Sequence, residues 1–125
     1  MSAPRSVPAG IAAISNRRDQ ALLLVGFGAA LRRSELVALD HADVAVGPEG
    51  LRITIRRSKS DQEGKGQIIA VGRTGTATCP TAAYSAWIAA AGISEGAVFR
   101  GINRHGWIGR RLSTDAVSEI VQRRA

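Results

Sequence analysis

Four consecutive residues, Arg32-Arg33-Ser34-Glu35, put two guanidiniums, a hydroxyl and a carboxylate between two apolar segments. The run from Ala21 to Leu31 has just ended, and Leu36-Val37-Ala38-Leu39 is about to begin. Charge at such a junction has two ordinary readings. It is a structural ion pair where one buried helix stops and another starts, or it holds a strong anion, to which arginine presents a planar fork of donors. A second polar group is the loop Arg57-Ser58-Lys59-Ser60-Asp61-Gln62-Glu63-Gly64-Lys65-Gly66, which contains both lysines of the chain. On residue type alone either lysine is a solvated side chain. His41 has no second His, Cys or paired carboxylate at metal-ligand spacing nearby, so it reads as a surface histidine rather than a ligand or base. Tyr84, the one tyrosine, lies on an apolar helical stripe and reads as core.

The elements that must position these residues follow from the pattern. Met1 to Ser15, with Pro4, Pro8 and Gly10, reads as an irregular lead-in, and residues 16–125 as a single domain. Asn16 is placed to cap a helix over Arg17–Leu31, with Asp19 as negative charge in its first turn. Because that helix is apolar nearly all round, it should be central and buried. Gly26 and Gly28 cost it about 1 kcal/mol each in propensity, a cost compatible with close approach of a neighbouring element. Ser34 can cap a short helix over Glu35–Leu39. The period then changes to two: Val44–Val46, the turn Gly47-Pro48-Glu49-Gly50 and Leu51–Arg56 predict a β-hairpin, with Leu51, Ile53 and Ile55 inward and Arg52, Thr54 and Arg56 outward. Gln67–Val71 adds a third strand. Pro80 opens a helix that Gly92 stops. Val98-Phe99 is extended, Arg100–Arg111 is a basic loop, and Ser113 caps a last helix with Leu112 and Val117 at the spacing of a hydrophobic staple. The predicted fold class is α+β (mixed), with helices packed on a small three-stranded antiparallel sheet.

At 125 residues the chain can bury one modest core. Its hydrophobic content of 45% and charged content of 22% are those of a globular protein. The net charge of +7, carried mainly by arginine, favours a polyanionic partner without identifying one. The single cysteine, Cys79, excludes an intrachain disulfide and a cysteine-based zinc site, and its place beside Pro80 reads as structural. The N-terminus has no signal-peptide pattern, and the longest apolar run is too short to span a bilayer. A cytoplasmic protein with no membrane partner is expected.

The order of these motifs resembles that of the tyrosine recombinase (phage integrase) family. Arg18-Asp19-Gln20-Ala21-Leu22-Leu23-Leu24, leading into Leu31-Arg32-Arg33-Ser34-Glu35-Leu36 and on through Leu39-Asp40-His41-Ala42-Asp43-Val44, resembles that family's first catalytic box. The strand followed by Ser58-Lys59-Ser60-Asp61-Gln62-Glu63-Gly64 resembles the hairpin that carries its catalytic lysine. Cys79-Pro80 opening a tryptophan-containing helix fits as well, as does Val98-Phe99 followed by Arg104-His105-Gly106 and Leu112-Ser113. The resemblance covers about Arg17 to Ala125.

It implies DNA recombination and integration, in which a tyrosine attacks a phosphodiester to form a 3′-phosphotyrosyl link and free a 5′-hydroxyl, with no metal or nucleotide cofactor. By the same resemblance Arg32 is the phosphate clamp, Glu35 its acidic companion, and Lys59 the general acid for the departing 5′-oxygen, with Lys65 as runner-up. Arg33, Arg52, Arg56, Arg57, Lys65, Arg104, Arg110 and Arg111 are then expected to contact double-stranded DNA. The family's second box, a His-x-x-Arg followed by the nucleophilic tyrosine, has no match. His41 has Val44 and His105 has Ile108 at plus three, and Tyr84 comes too early. The expectation is therefore a partial catalytic domain, truncated before the second box, inactive alone, and exposing core surface through which it could self-associate. Its expected place is the bacterial nucleoid, as a bacterial or phage-derived protein. A non-catalytic DNA-binding or protein-interaction module derived from a recombinase is the alternative.

Overall fold

The computed structural model describes residues 9–55 and 66–124, and the side chains from residue 12 onward. Among the described residues four helices and two antiparallel sheets follow one another as α1 (Ala9–Gly28), α2 (Arg33–Ala38), β1 (Val44–Gly47), β2 (Gly50–Ile55), β3 (Gln67–Gly72), α3 (Pro80–Ala91), β4 (Arg100–Ile102), β5 (Ile108–Arg111) and α4 (Thr114–Arg124), with a 3-10 turn at His41–Asp43. The α+β architecture expected from the sequence is the one found.

Strands β1, β2 and β3 form a meander in that order, and period-two alternation sets its register. Ile53 pairs with Val44 and with Ile69, so Leu51, Ile53 and Ile55 turn toward the helices while Arg52 lies between Ala45 and Ala70 on the outer face. Gly50 is required at its turn. Its φ is 140°, and a Cβ there would stand 2.0 Å from the Val71 carbonyl oxygen. The central helix α1 packs against α3, with Leu22, Val25, Tyr84, Trp87, Phe99 and Val117 filling the space between helices and sheet. Gly26 and Gly28, in the second half of α1, are explained by proximity. A Cβ on Gly26 would meet the Leu36 side chain at 3.1 Å, and one on Gly28 would meet Val71 and Pro80 at 3.2 and 3.3 Å.

Four expectations are corrected. Helix α1 begins at Ala9, so residues 9–15 are not an irregular lead-in and Asn16 is no cap. A glycine in the first turn costs little, and the Ile14 side chain gains packing against the core. Helix α2 begins at Arg33, with Arg32 rather than Ser34 in the capping position. The basic stretch Arg100–Arg111 is a β-hairpin, not a loop. Asp19 is not a first-turn charge but is buried inside α1. The close of α3 at Gly92, with φ of 66°, agrees with the sequence reading. So does the start of α4, where Ser113 Oγ accepts the Ala116 N–H at 3.1 Å between a buried Leu112 and a buried Val117.

Candidate functional site

The route into the arginine box is a tight reversal. After α1 the Ala30 N–H bonds to the Phe27 carbonyl at 3.2 Å and the Leu31 N–H to the Gly26 carbonyl at 2.9 Å. This is the paired bonding of a Schellman motif, which needs a left-handed residue at its centre. Glycine is usual there. Here Ala30 takes φ of 55° and, among the described residues, is the one non-glycine with positive φ. The reversal aims Leu31 inward and delivers Arg32 to solvent at the start of α2.

Helix α2 has only six residues, too few to be stable by itself, and it is fastened at both ends. At its start Glu35 Oε1 accepts the Arg32 backbone N–H at 2.8 Å, the reciprocal half of a capping box. Glu35 thus fixes the main chain that carries the Arg32 side chain. At its end Arg111, reaching over from β5, donates Nη1 to the Val37 carbonyl at 2.7 Å and the Leu39 carbonyl at 3.3 Å, and Nη2 to Asp40 Oδ1 at 2.5 Å. One guanidinium caps the open carbonyls of the helix and pairs with the carboxylate beyond them. Between these ends, about 9 Å apart for a six-residue helix, Arg33 donates to Ser118 Oγ on α4. Leu36 is buried.

The arginines therefore divide by employment. Arg18, Arg33, Arg73, Arg100, Arg111, Arg123 and Arg124 donate to acceptors within the fold. The Arg32 guanidinium is exposed and has no acceptor among the described residues. Arg52, on the outer face of the sheet, and Arg110, on β5, are likewise exposed and open. Arg104 touches only His105 Nε2, at 3.4 Å. Of the residues expected to contact DNA, Arg33 and Arg111 are exposed but already bonded to acceptors of the fold, while Arg52, Arg104 and Arg110 are free to meet an outside partner. Arg56, Arg57, Lys59 and Lys65 lie outside the described residues. The strands on either side of them are adjacent, with Ile55 paired to Gln67.

Sequence reasoning missed the fastening role of Arg111. Strand alternation would have set it opposite Arg110, but nothing local says which of the two faces α2. Two titratable groups lie away from the box. The Cys79 thiol is drawn down to about 7 by the backbone N–H groups of Ala82 and then Thr74, at the start of α3. Burial pushes the Tyr84 phenol up to about 12.

No protein-family model matches the chain. Over 112 residues, 88% of its length, the sequence is 38% identical to a protein of Selenomonas ruminantium described as an integrase/recombinase xerD homolog. The chain spans 33% of that relative. The aligned length agrees with the resemblance of the motifs. This stretch of sequence belongs to the tyrosine recombinase (phage integrase) family.

Proposed function

We propose that these 125 residues supply the arginine-box and lysine-hairpin portion of a DNA cleavage and rejoining site, and that as they stand they bind double-stranded DNA without cutting it. In this reading Arg32 donates to the non-bridging oxygens of the scissile phosphate, where negative charge gathers in the transition state. Glu35 keeps the Arg32 backbone in register. Lys59 gives a proton to the 5′-oxygen as its bond to phosphorus breaks and a bond from a tyrosine oxygen forms. That tyrosine is not among these residues, since Tyr84 is buried in the core. Arg52, Arg104 and Arg110 add backbone phosphate contacts. The observation that carries the reading is the open Arg32 guanidinium on a helix fastened at both ends, a cation for which the described residues provide no anion. No described helix is long and apolar enough to cross a membrane. A nucleoid-associated location in the cytoplasm goes with this reading.

The test is a salt titration of binding to a labelled duplex. Binding should weaken steeply with salt, with a log–log slope of about −0.9 per phosphate contacted. Arg32→Ala should reduce that slope by about one unit and weaken binding several-fold. Salt-independent binding, or none at low salt, refutes the proposal. A covalent complex with a suicide DNA substrate refutes the inactivity.

A protein-contact reading has one observation in its favour. Leu22, Leu23, Gly26, Phe27, Leu31, Leu36, Val117 and Val121, together with Arg33, line a mainly apolar groove of about 130 Å³ between α1, α2 and α4, and Phe27 is 76% exposed. Self-association through this groove would make light-scattering mass rise with concentration. A monomer throughout rules it out.

A further inference from the structure

The hairpin β4–β5 carries one residue that neither the arginine box nor the lysine loop uses. Trp107 stands near its tip with 71% of its surface exposed. The chain's other tryptophan, Trp87, is fully buried and donates its Nε1–H to the Val98 carbonyl at 2.8 Å. The tip that holds Trp107 is a built structure. Asn103 Oδ1 accepts the His105 N–H at 2.8 Å and the Trp107 N–H at 3.0 Å, so one short side chain organises the whole turn. The Gly106 N–H bonds to the Asn103 carbonyl at 3.0 Å, and the Asn103 N–H to the Trp107 carbonyl at 3.1 Å. Gly106 supplies the required positive φ of 84°. At the other end of the hairpin, Arg111 fastens β5 to α2. The indole is thus presented on an arm whose backbone is already ordered, and little conformational freedom is left to lose on binding.

The surroundings indicate what the arm meets. Arg104, His105 and Arg110 are all exposed around it, and residues 100–113 contain no acidic side chain. A single exposed aromatic is unremarkable on its own. One held on an ordered tip among open cations has the two parts of a nucleic-acid contact, namely charge for phosphates and a π-face for a base or sugar. A protein partner would call for apolar neighbours, yet beside Trp107 at the tip stand Asn103, Arg104, His105 and Gly106.

We propose that the Asn103–Trp107 tip is a DNA contact in which the Trp107 indole lies against a base or deoxyribose, while Arg104 and Arg110 take the flanking phosphates. The proposal rests on the DNA-binding reading above, and the experiment separates the two. The 125-residue chain is titrated with a short labelled duplex at low salt, and DNA anisotropy and tryptophan emission are followed together. Trp107 dominates the solvent-exposed emission, and buried Trp87 reports that each variant is folded. Emission should be quenched in step with the anisotropy. Trp107→Ala should weaken binding roughly tenfold with an unchanged salt slope, and Trp107→Phe should recover most of the loss. Arg104→Ala should lower the slope by about one phosphate. Binding seen by anisotropy with unaltered emission and full affinity in Trp107→Ala overturns this proposal and leaves the DNA-binding reading standing. No binding at low salt overturns both. Emission that shifts with anionic lipid vesicles but not with duplex overturns it in favour of a membrane surface.

Discussion

Loss of Asp19 should damage this protein severely. The residue lies in α1, 1% exposed, and its two oxygens hold three arginines. Oδ1 accepts from Arg18 Nε at 3.0 Å and lies 2.9 Å from Nη2 of the same guanidinium. Oδ2 accepts from Arg124 Nε at 3.0 Å and Nη2 at 2.9 Å, with Arg123 Nη2 at 3.5 Å. Arg124 also donates to Asn16 Oδ1 at 2.6 Å, so the C-terminal turn of α4 is tied to α1 by this one carboxylate and its neighbour. The three arginines do not matter equally. Arg18 is itself only 8% exposed, and without Asp19 it would keep a single bond, to the Arg100 carbonyl at 3.3 Å. Stranding a buried charge in this way costs about 3–5 kcal/mol. The Arg123 and Arg124 side chains are 59% and 37% exposed, so each pair contributes about 1 kcal/mol or less. Asp19→Ala should therefore cost about 3–5 kcal/mol out of roughly 5–15 for a domain of this size. Arg124→Ala should cost about 1, and Arg123→Ala close to nothing. Urea unfolding followed by far-ultraviolet circular dichroism and by Trp87 emission measures all three. Because the damage comes from the orphaned guanidinium, Asp19→Ala combined with Arg18→Leu should be more stable than Asp19→Ala alone. A single mutant that loses under 1 kcal/mol, or a double mutant no better than the single, would refute the reasoning.

Two further outcomes follow from the backbone and the core. Ala30→Gly relieves about 1–2 kcal/mol of left-handed strain and gives back about 0.4–1 in unfolded-chain entropy, so the urea midpoint should rise; a fall would mean that the reversal before Arg32 is unstrained. Tyr84 is buried, its hydroxyl finds no acceptor among the described residues, and its pKa is raised from 10.0 to about 12. A raised pKa in the folded state means that the stabilising contribution is complete below pH 10 and is lost as pH climbs through 12. Tyrosinate absorbance should therefore appear together with alkaline unfolding. Tyr84→Phe, which removes an unbonded hydroxyl and keeps the ring, should cost nothing at neutral pH; a loss above 1 kcal/mol would show that the hydroxyl has a partner.

The elements legible in the sequence are those specified by neighbours in the chain. Pro80 and Gly92 bound α3, alternation sets the β1–β2–β3 register, and the Leu112–Ser113–Val117 spacing starts α4. What was not legible depends on contacts made across the fold. Asp19 reads as a first-turn helix charge, and nothing nearby in the chain shows that the last turn of α4, about a hundred residues later, arrives to pair with it. Pro8 and Gly10 read as breakers, yet a glycine in the first helical turn does little harm when Ile14 packs against the core. The charged junction Arg32–Glu35 was legible, but not the way its helix is held, since the fastening of α2 comes from a strand some seventy residues downstream.

The same separation explains why net charge is a poor guide to this surface. A formal +7 suggests an evenly basic protein, but seven of the described arginines donate within the fold, three of them to one aspartate. Those arginines still add to the long-range field that attracts a polyanion. Their donors, however, are already committed and cannot form the short bidentate contacts that position a phosphate. Among the described residues close contact is left to Arg17, Arg32, Arg52, Arg104 and Arg110, which are exposed and lack an oxygen acceptor there. Replacing an engaged arginine such as Arg111 should therefore act on the unfolding midpoint, and replacing an open one such as Arg32 on the salt slope. Arg111 holds the short helix that begins beside Arg32, so one guanidinium serves as scaffold while the other stays open to solvent.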